Sequence, residues 1–240
     1  MFKIIKWPIL YIVVQFSILF LLAIFYISTG HDAALFSQYL ANKQIFLVIL
    51  LAIIFLPIFI IQYKKQKYQE KKIKKVSTWF FLMISGILLS ILYNIVGFYS
   101  SHIFPITDLY QENTRIFITL LSTGLFGPII EELLFRGIMY NEAKKIYPNM
   151  KSILLVTTIF AICHTSIIQM IYAFALGFIL IYVYEKYHTI KAPIILHMAS
   201  NITTTLFLPF LIQNHFIINY ILFLSCLLLL IFYWLKCRKK

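Results

Sequence analysis

The sequence predicts an all-α, polytopic membrane protein of about eight transmembrane helices, and three observations carry that prediction. The 240 residues are 62% hydrophobic and only 12% charged, with a mean hydropathy of +0.90, whereas a soluble domain is nearer about a quarter charged. Apolar runs recur along the chain at lengths close to the roughly 20 residues that a helix needs to cross a bilayer. The cations fall in short segments between those runs, where they set membrane orientation. A formal net charge of +13 therefore does not imply nucleic acid as a partner; membrane lipids are the expected surroundings.

Taken in order, the first apolar run is Trp7–Ser28, preceded by Lys3 and Lys6. It is too long for a signal-peptide core and lacks a small-residue cleavage site, so it reads as a retained first span. Ile45–Tyr63 and Thr78–Tyr99 follow on either side of a basic run from Lys64 to Lys75. The fourth span, Thr114–Phe135, is interrupted by Gly124, Gly127 and Pro128, residues that weaken or break a helix interior. Ser152–Ile168 and Gln169–Tyr184 form a short fifth and sixth span, and Ile190–Leu211 and Phe216–Leu235 complete the set. There is no internal repeat. Three cysteines, Cys163 and Cys226 in apolar runs and Cys237 in the basic tail, give no disulfide framework.

The lysines set the orientation. Alternating spans place on one side Lys3 and Lys6, the Lys64–Lys75 run, Lys144, Lys145 and Lys151, Lys186 and Lys191, and Lys236, Arg238, Lys239 and Lys240. Of the 21 Lys and Arg, that leaves Lys43 in an outer loop and Arg115 and Arg136 in or beside the fourth span. The outer loop from Ser100 to Asn113 carries Asp108 and Glu112 instead. Both termini are expected in the cytoplasm of a multi-pass cell-membrane protein. The Lys64–Lys75 run also suits anionic lipid.

Against this apolar background one stretch stands out. Glu131-Glu132-Leu133-Leu134-Phe135-Arg136 puts three ionisable residues within six positions, in a chain with only eight acidic residues. A charged residue at a helix centre costs about 2.5–3.5 kcal/mol on insertion scales, so such residues face the bundle interior and have partners. At i,i+4, Glu132 and Arg136 share a helix face and can pair. Glu131 points about 100° away and is free to face a histidine on another helix. Two later segments offer one. Phe160 and His164 are four apart, so the phenyl ring can wall off one side of the imidazole. His197 and Asn201 share a face in the same way, just after Pro193.

A carboxylate partly buried in apolar surroundings suits a general base, and a neighbouring imidazole can help to deprotonate a water. A second imidazole and an amide can donate hydrogen bonds to a developing oxyanion. Glu131, His164 and His197 could equally hold a divalent metal that activates the water. Each residue also has a plainer reading. A lone intramembrane histidine or asparagine is often a bridge between helices, and Glu132–Arg136 alone is a structural ion pair. Cys163 lies beside His164, but adjacent helix positions diverge too far for a cysteine nucleophile.

Together, Glu131-Glu132-x-x-x-Arg136, Phe160-x-x-x-His164 and His197-x-x-x-Asn201 resemble the three motifs of the CAAX-protease and bacteriocin-processing family of intramembrane proteases, which includes Abi-type bacterial proteins. Phe135 and Gly137 beside the arginine also fit, and the resemblance covers about residues 110–205. It implies an intramembrane catalytic cavity in which Glu131, with His164, activates water. His197 and Asn201 would stabilise the oxyanion, or help to ligate a metal, while Glu132, Arg136 and Phe160 support the site. It divides the chain into motif-free helices over 1–105, a catalytic core over 106–211, and a last helix with basic tail over 212–240.

The motifs lack the His-Glu-x-x-His spacing of most zinc peptidases, so the expected mechanism needs no cofactor, with zinc kept as the alternative. The lysine- and isoleucine-rich sequence looks bacterial. There the expected substrate is a membrane-associated peptide or protein, in peptide processing or bacteriocin self-immunity. Two other classes remain open on these residues: a non-catalytic membrane protein that binds a bacteriocin or another membrane partner, and an ion or metal transporter using the same His and Glu. A transporter would show a path through the membrane and a polar site near its midplane.

Overall fold

The computed structural model describes residues 2–66, 68–100, 116–164, 166–212 and 216–238. Among these residues there is no strand, and the chain runs as eight helical rods. They are α1 (Phe2–Ser28), α2 (Phe36–Lys65), α3 (Val76–Ser100), the composite α4 (116–144), α5 (Asn149–Ile162), α6 (Ile167–Tyr187), α7 (Lys191–Ile212) and α8 (Phe216–Arg238). The expected acidic outer loop with Asp108 and Glu112, together with His102, Arg115 and His215, lies outside the described residues.

Among the described residues, four stretches are long and apolar enough to cross a membrane: Phe2–Ser28, Phe46–Lys65, Val76–Gly97 and Ile167–Tyr187. Asn149–Ile162 and Ile218–Ile231 are shorter apolar helices. On α1 the apolar side chains Phe16, Phe20 and Leu21 point outward and are well exposed, as suits a helix that faces lipid rather than water. The turn into α2 uses Gly30 at φ +84°, a left-handed conformation that glycine adopts without a Cβ penalty. Asp32 then caps the short 3-10 turn Ala33–Leu35 by accepting from the Ala34 N–H.

The fourth rod is not broken by Gly124, Gly127 and Pro128, as their composition suggests. It continues, but with two π-helical stretches, Leu120–Phe126 and Leu133–Tyr140, on either side of the α-helical turn Gly127–Glu132. Pro128 has no N–H to give to the carbonyl four residues back. The chain widens just before it, and the Gly127 N–H reaches Ser122 O, five residues back. The rod also runs on to Lys144, beyond the expected end at Phe135.

Two apolar cores hold the rods. One gathers Phe55 and Phe59 of α2, Ile130, Leu134 and Ile138 of α4, Val156 and Phe160 of α5, and Tyr184 of α6. The other joins Leu82 of α3, Leu180 of α6 and Leu196 of α7. Two glycines allow close approach. A Cβ on Gly86 of α3 would lie 2.3 Å from Leu196 O, and one on Gly137 of α4 would lie 2.9 Å from the Tyr63 ring. At the end where the lysines cluster, residues 68–75 strap across the turn between α6 and α7. Lys71 N–H donates to His188 O at 2.8 Å, and Glu70 Oε1 accepts from Tyr63 Oη at 2.7 Å and from Ile190 N at 3.1 Å.

α5 ends six residues earlier than the expected fifth span. Ser166 restarts the chain as the N-cap of α6, its side chain accepting from Gln169 N. Ser166-x-x-Gln169 is a capping-box spacing, so the sequence carried the signal for this boundary. As a result His164 does not lie within a helix. It sits two residues past the end of α5, in the connection to α6.

Candidate active site

The α-helical turn Gly127–Glu132 presents two adjacent carboxylates in different surroundings. The Glu132 side chain is fully buried, whereas that of Glu131 is 32% exposed. Glu132 Oε1 accepts from Arg136 Nη1 at 2.9 Å, one helical turn on, as the i,i+4 spacing predicts. The guanidinium is also fully buried. It lies over the Phe160 ring, 4.4 Å from the centroid, and Nη2 reaches Gly177 O at 3.4 Å. A Cβ on Gly177 would press on Thr157 and Phe160, so glycine there lets the α6 backbone come close enough to help satisfy the arginine.

α7 brings His197 into the same place. His197 Nδ1 lies 2.8 Å from Glu132 Oε1, and its Nε2 lies 3.8 Å from Glu131 Oε2. The imidazole thus sits between the two carboxylates. Sequence reasoning expected a histidine opposite Glu131, and His197 takes that position, but its short contact is with Glu132. Asn201, one turn further along α7, donates from Nδ2 to Thr123 O at 2.9 Å, a carbonyl within the first π stretch. One amide N–H is spent there, which leaves the second.

His164 is positioned from α5. Its Nδ1 lies 2.9 Å from Phe160 O; a carbonyl only accepts, so Nδ1 carries the hydrogen and Nε2 is left as an acceptor. The Phe160 ring stands edge-on to His164 at 5.1 Å and to His197 at 6.0 Å. The expected wall beside His164 is present, and the same phenyl ring also contacts Arg136 and His197. Among the described residues no hydrogen bond or ion pair joins His164 to Glu131. Nothing in the residue types pointed to the Gly177 and Thr123 carbonyls as partners, because backbone acceptors leave no trace there.

No group of three or more His, Cys, Asp or Glu among the described residues gathers closely enough to hold an ion. Glu132 Oε1 is committed to Arg136 and His197, and no hydrogen bond or ion pair among the described residues brings His164 Nε2 to Glu131 or His197, so Glu131 and His197 Nε2 stand as a two-group set. The residues as placed do not fit a zinc site. They do form a charged cluster of two carboxylates, a guanidinium and an imidazole, open to the surface at Glu131, with the Asn201 amide one turn along α7.

Residues 113–203 match the family model of the type II CAAX prenyl endopeptidases, Rce1-like. That stretch contains Glu131, Glu132, Arg136, Phe160, His164, His197 and Asn201, and the match bears out the resemblance read from the three motifs. No curated protein and no solved structure matches the chain.

Proposed function

We propose, on the premise of the match over residues 113–203 to the CAAX prenyl endopeptidases, that this chain is an intramembrane endopeptidase. Its substrate is a membrane-associated peptide or protein. The observation that carries this reading is the convergence of Glu131 and Glu132 from α4 on His197 from α7, with one carboxylate buried and paired and the other partly exposed. A structural ion pair needs only Glu132 and Arg136. The neighbouring Glu131, which pairs with no Lys or Arg among the described residues and lies beside an imidazole nitrogen, is what a general base requires.

In this reading a water attacks the scissile carbonyl while Glu131 takes its proton, with His164 Nε2 accepting a hydrogen bond from the same water. Glu131 passes that proton to His197 Nε2, and the resulting Nε2–H, with the second N–H of Asn201, stabilises the oxygen of the tetrahedral intermediate. The C–N bond then breaks as that proton passes to the leaving amine. No metal takes part. Both termini lie in the cytoplasm, in keeping with the lysine distribution, and the four long apolar helices span the bilayer. A role in peptide processing or bacteriocin self-immunity is consistent with such an activity.

The test uses full-length protein in nanodiscs and a quenched-fluorescent peptide carrying a lipidated cysteine near its carboxyl end. Glu131→Gln keeps size and hydrogen bonding but removes the base. It is expected to fold normally and to lose about 10²–10⁴-fold in cleavage rate. Wild-type activity is expected to survive exhaustive chelation. A Glu131→Gln protein that keeps full activity would sink the endopeptidase reading and favour a binding role; activity lost to chelator and restored by zinc would overturn the metal-free mechanism.

A further inference from the structure

We propose, building on the endopeptidase reading, that Glu132 is the positioning residue that fixes the His197 imidazole, keeping its hydrogen on Nδ1 and presenting Nε2 to Glu131 and the reacting water. The arrangement of one oxygen carries the argument. Glu132 Oε1 receives Arg136 Nη1 at 2.9 Å and His197 Nδ1 at 2.8 Å. A guanidinium has no acceptor atom, so Glu132 is the acceptor in the first contact and an ionised carboxylate accepts in both. Nδ1 therefore donates, and Nε2 is the nitrogen left facing Glu131, 3.8 Å away.

The plainer account makes Glu132 only the counter-ion of Arg136. The geometry argues against it. An Arg–carboxylate pair is frequently bidentate, with two parallel N–H···O bonds. Here Glu132 Oε2 and Arg136 Nε have no partner among the described residues, although both are buried. The carboxylate gives up the second arm of the fork and turns the shared oxygen toward the histidine. Phe160 completes the clamp. Its ring lies under the guanidinium and edge-on to His197, so the arginine, the carboxylate and the imidazole are held as one unit across α4, α5 and α7. A histidine free to rotate would offer Nδ1 and Nε2 to the site interchangeably, and only one of them lies toward Glu131.

The experiment separates counter-ion from positioning residue with two neutral pairs in the full-length protein. Glu132→Leu with Arg136→Met removes both charges together, so no buried charge is orphaned, and it also removes the acceptor for Nδ1. Glu132→Gln with Arg136→Met is equally neutral but keeps a side-chain oxygen that can accept from Nδ1. The first pair is expected to lose at least about 100-fold in kcat with KM little changed, the kind of loss seen when a carboxylate no longer holds a catalytic imidazole. The second is expected to regain at least about tenfold of that loss.

Equal activity of the two pairs would overturn the proposal. Nitrogen NMR of histidine-labelled wild-type protein is read alongside, because it needs no turnover. Hydrogen on Nδ1 of His197, lost in the leucine pair, supports the positioning role even in a chain that cleaves nothing, so its outcome stands apart from that of the endopeptidase reading. Hydrogen on Nε2 alone overturns it whatever the kinetics show.

Discussion

α7 carries two polar regions on one helix, and they are built differently. In one, His197 and Asn201 meet charged groups from α4: buried Glu132 and Arg136, partly exposed Glu131, and a Thr123 carbonyl in a π stretch. Beside them on the same broad face, Ser200 and Thr204 meet neutral groups from α3 and α6. Ser90 and Thr204 hydroxyls lie 2.8 Å apart, Asn94 Nδ2 donates to Ser90 O at 2.8 Å and to Thr204 Oγ1 at 3.3 Å, and the Tyr172 hydroxyl pairs with Ser200. The second region is closed, uncharged and tightly packed, with the α3 and α7 backbones in close approach at Gly86. The first is charged and partly open, and two of its buried polar atoms lack partners among the described residues. Polar residues at membrane depth therefore do not all argue for chemistry. Those joining α3 to α7 are ordinary interhelical hydrogen bonds; the combination of charge, incomplete satisfaction and access is what supports the proposed site in the other region.

If that contrast is right, the charged region should be the costly one to break. Arg136→Ala leaves Glu132 buried without its cation. Removing one partner of a buried pair costs about 3–5 kcal/mol, so the variant is expected to show much less folded protein in the membrane and a lower midpoint in thermal unfolding. Normal abundance and stability with lost cleavage would instead move Arg136 from support to direct contact with substrate.

The charged region was also the more legible one in the sequence. Glu132–Arg136 followed from i,i+4 spacing alone, and the Phe160–His164 ring contact from the same rule. The bridge made by His197 did not. Helical angles send Glu131 and Glu132 in different directions, and nothing in residue type says that one planar ring with two nitrogens can meet both. The π stretches were invisible for a related reason: glycine and proline announce a disturbed helix but not whether it breaks or widens. A fifth span drawn as one apolar run over Ser152–Ile168 takes His164 into a helix, although Ser166 with Gln169 is a readable cap. The neutral region was hardly legible, since serine, threonine and asparagine occur in many apolar helices without meeting one another.

The packing that closes the neutral region can be tested next. A methyl group at Gly86 would stand 2.3 Å from Leu196 O and 3.0 Å from the Ala199 Cβ. The obstacle is backbone rather than the end of a flexible side chain, so α3 and α7 must separate. Gly86→Ala is expected to cost about 1–3 kcal/mol, as overpacking generally does, read as reduced thermal stability. Because α7 also carries His197, part of the loss should appear as a lower cleavage rate per folded molecule. A variant as stable as wild type would mean that the two helices are not held by this approach.

The smallest effect is expected inside the neutral network, and it is the sharpest test of the contrast. Thr204→Val keeps the shape and removes one hydroxyl. Ser90 and Asn94 retain each other, with Asn94 Nδ2 3.1 Å from Ser90 Oγ and 2.8 Å from Ser90 O, so no group is left wholly unpaired. Interhelical hydrogen bonds within membranes average about 0.6 kcal/mol in double-mutant cycles, and a loss of that order should shift thermal unfolding slightly. Thr204 lies about two turns from His197 along α7 and its hydroxyl bonds groups of α3 rather than α4, so cleavage per folded molecule should match wild type within error. A tenfold fall in that rate at unchanged stability would break the comparison: the hydroxyl network would then be setting the position of His197, and the two regions of α7 would have to be treated as one site.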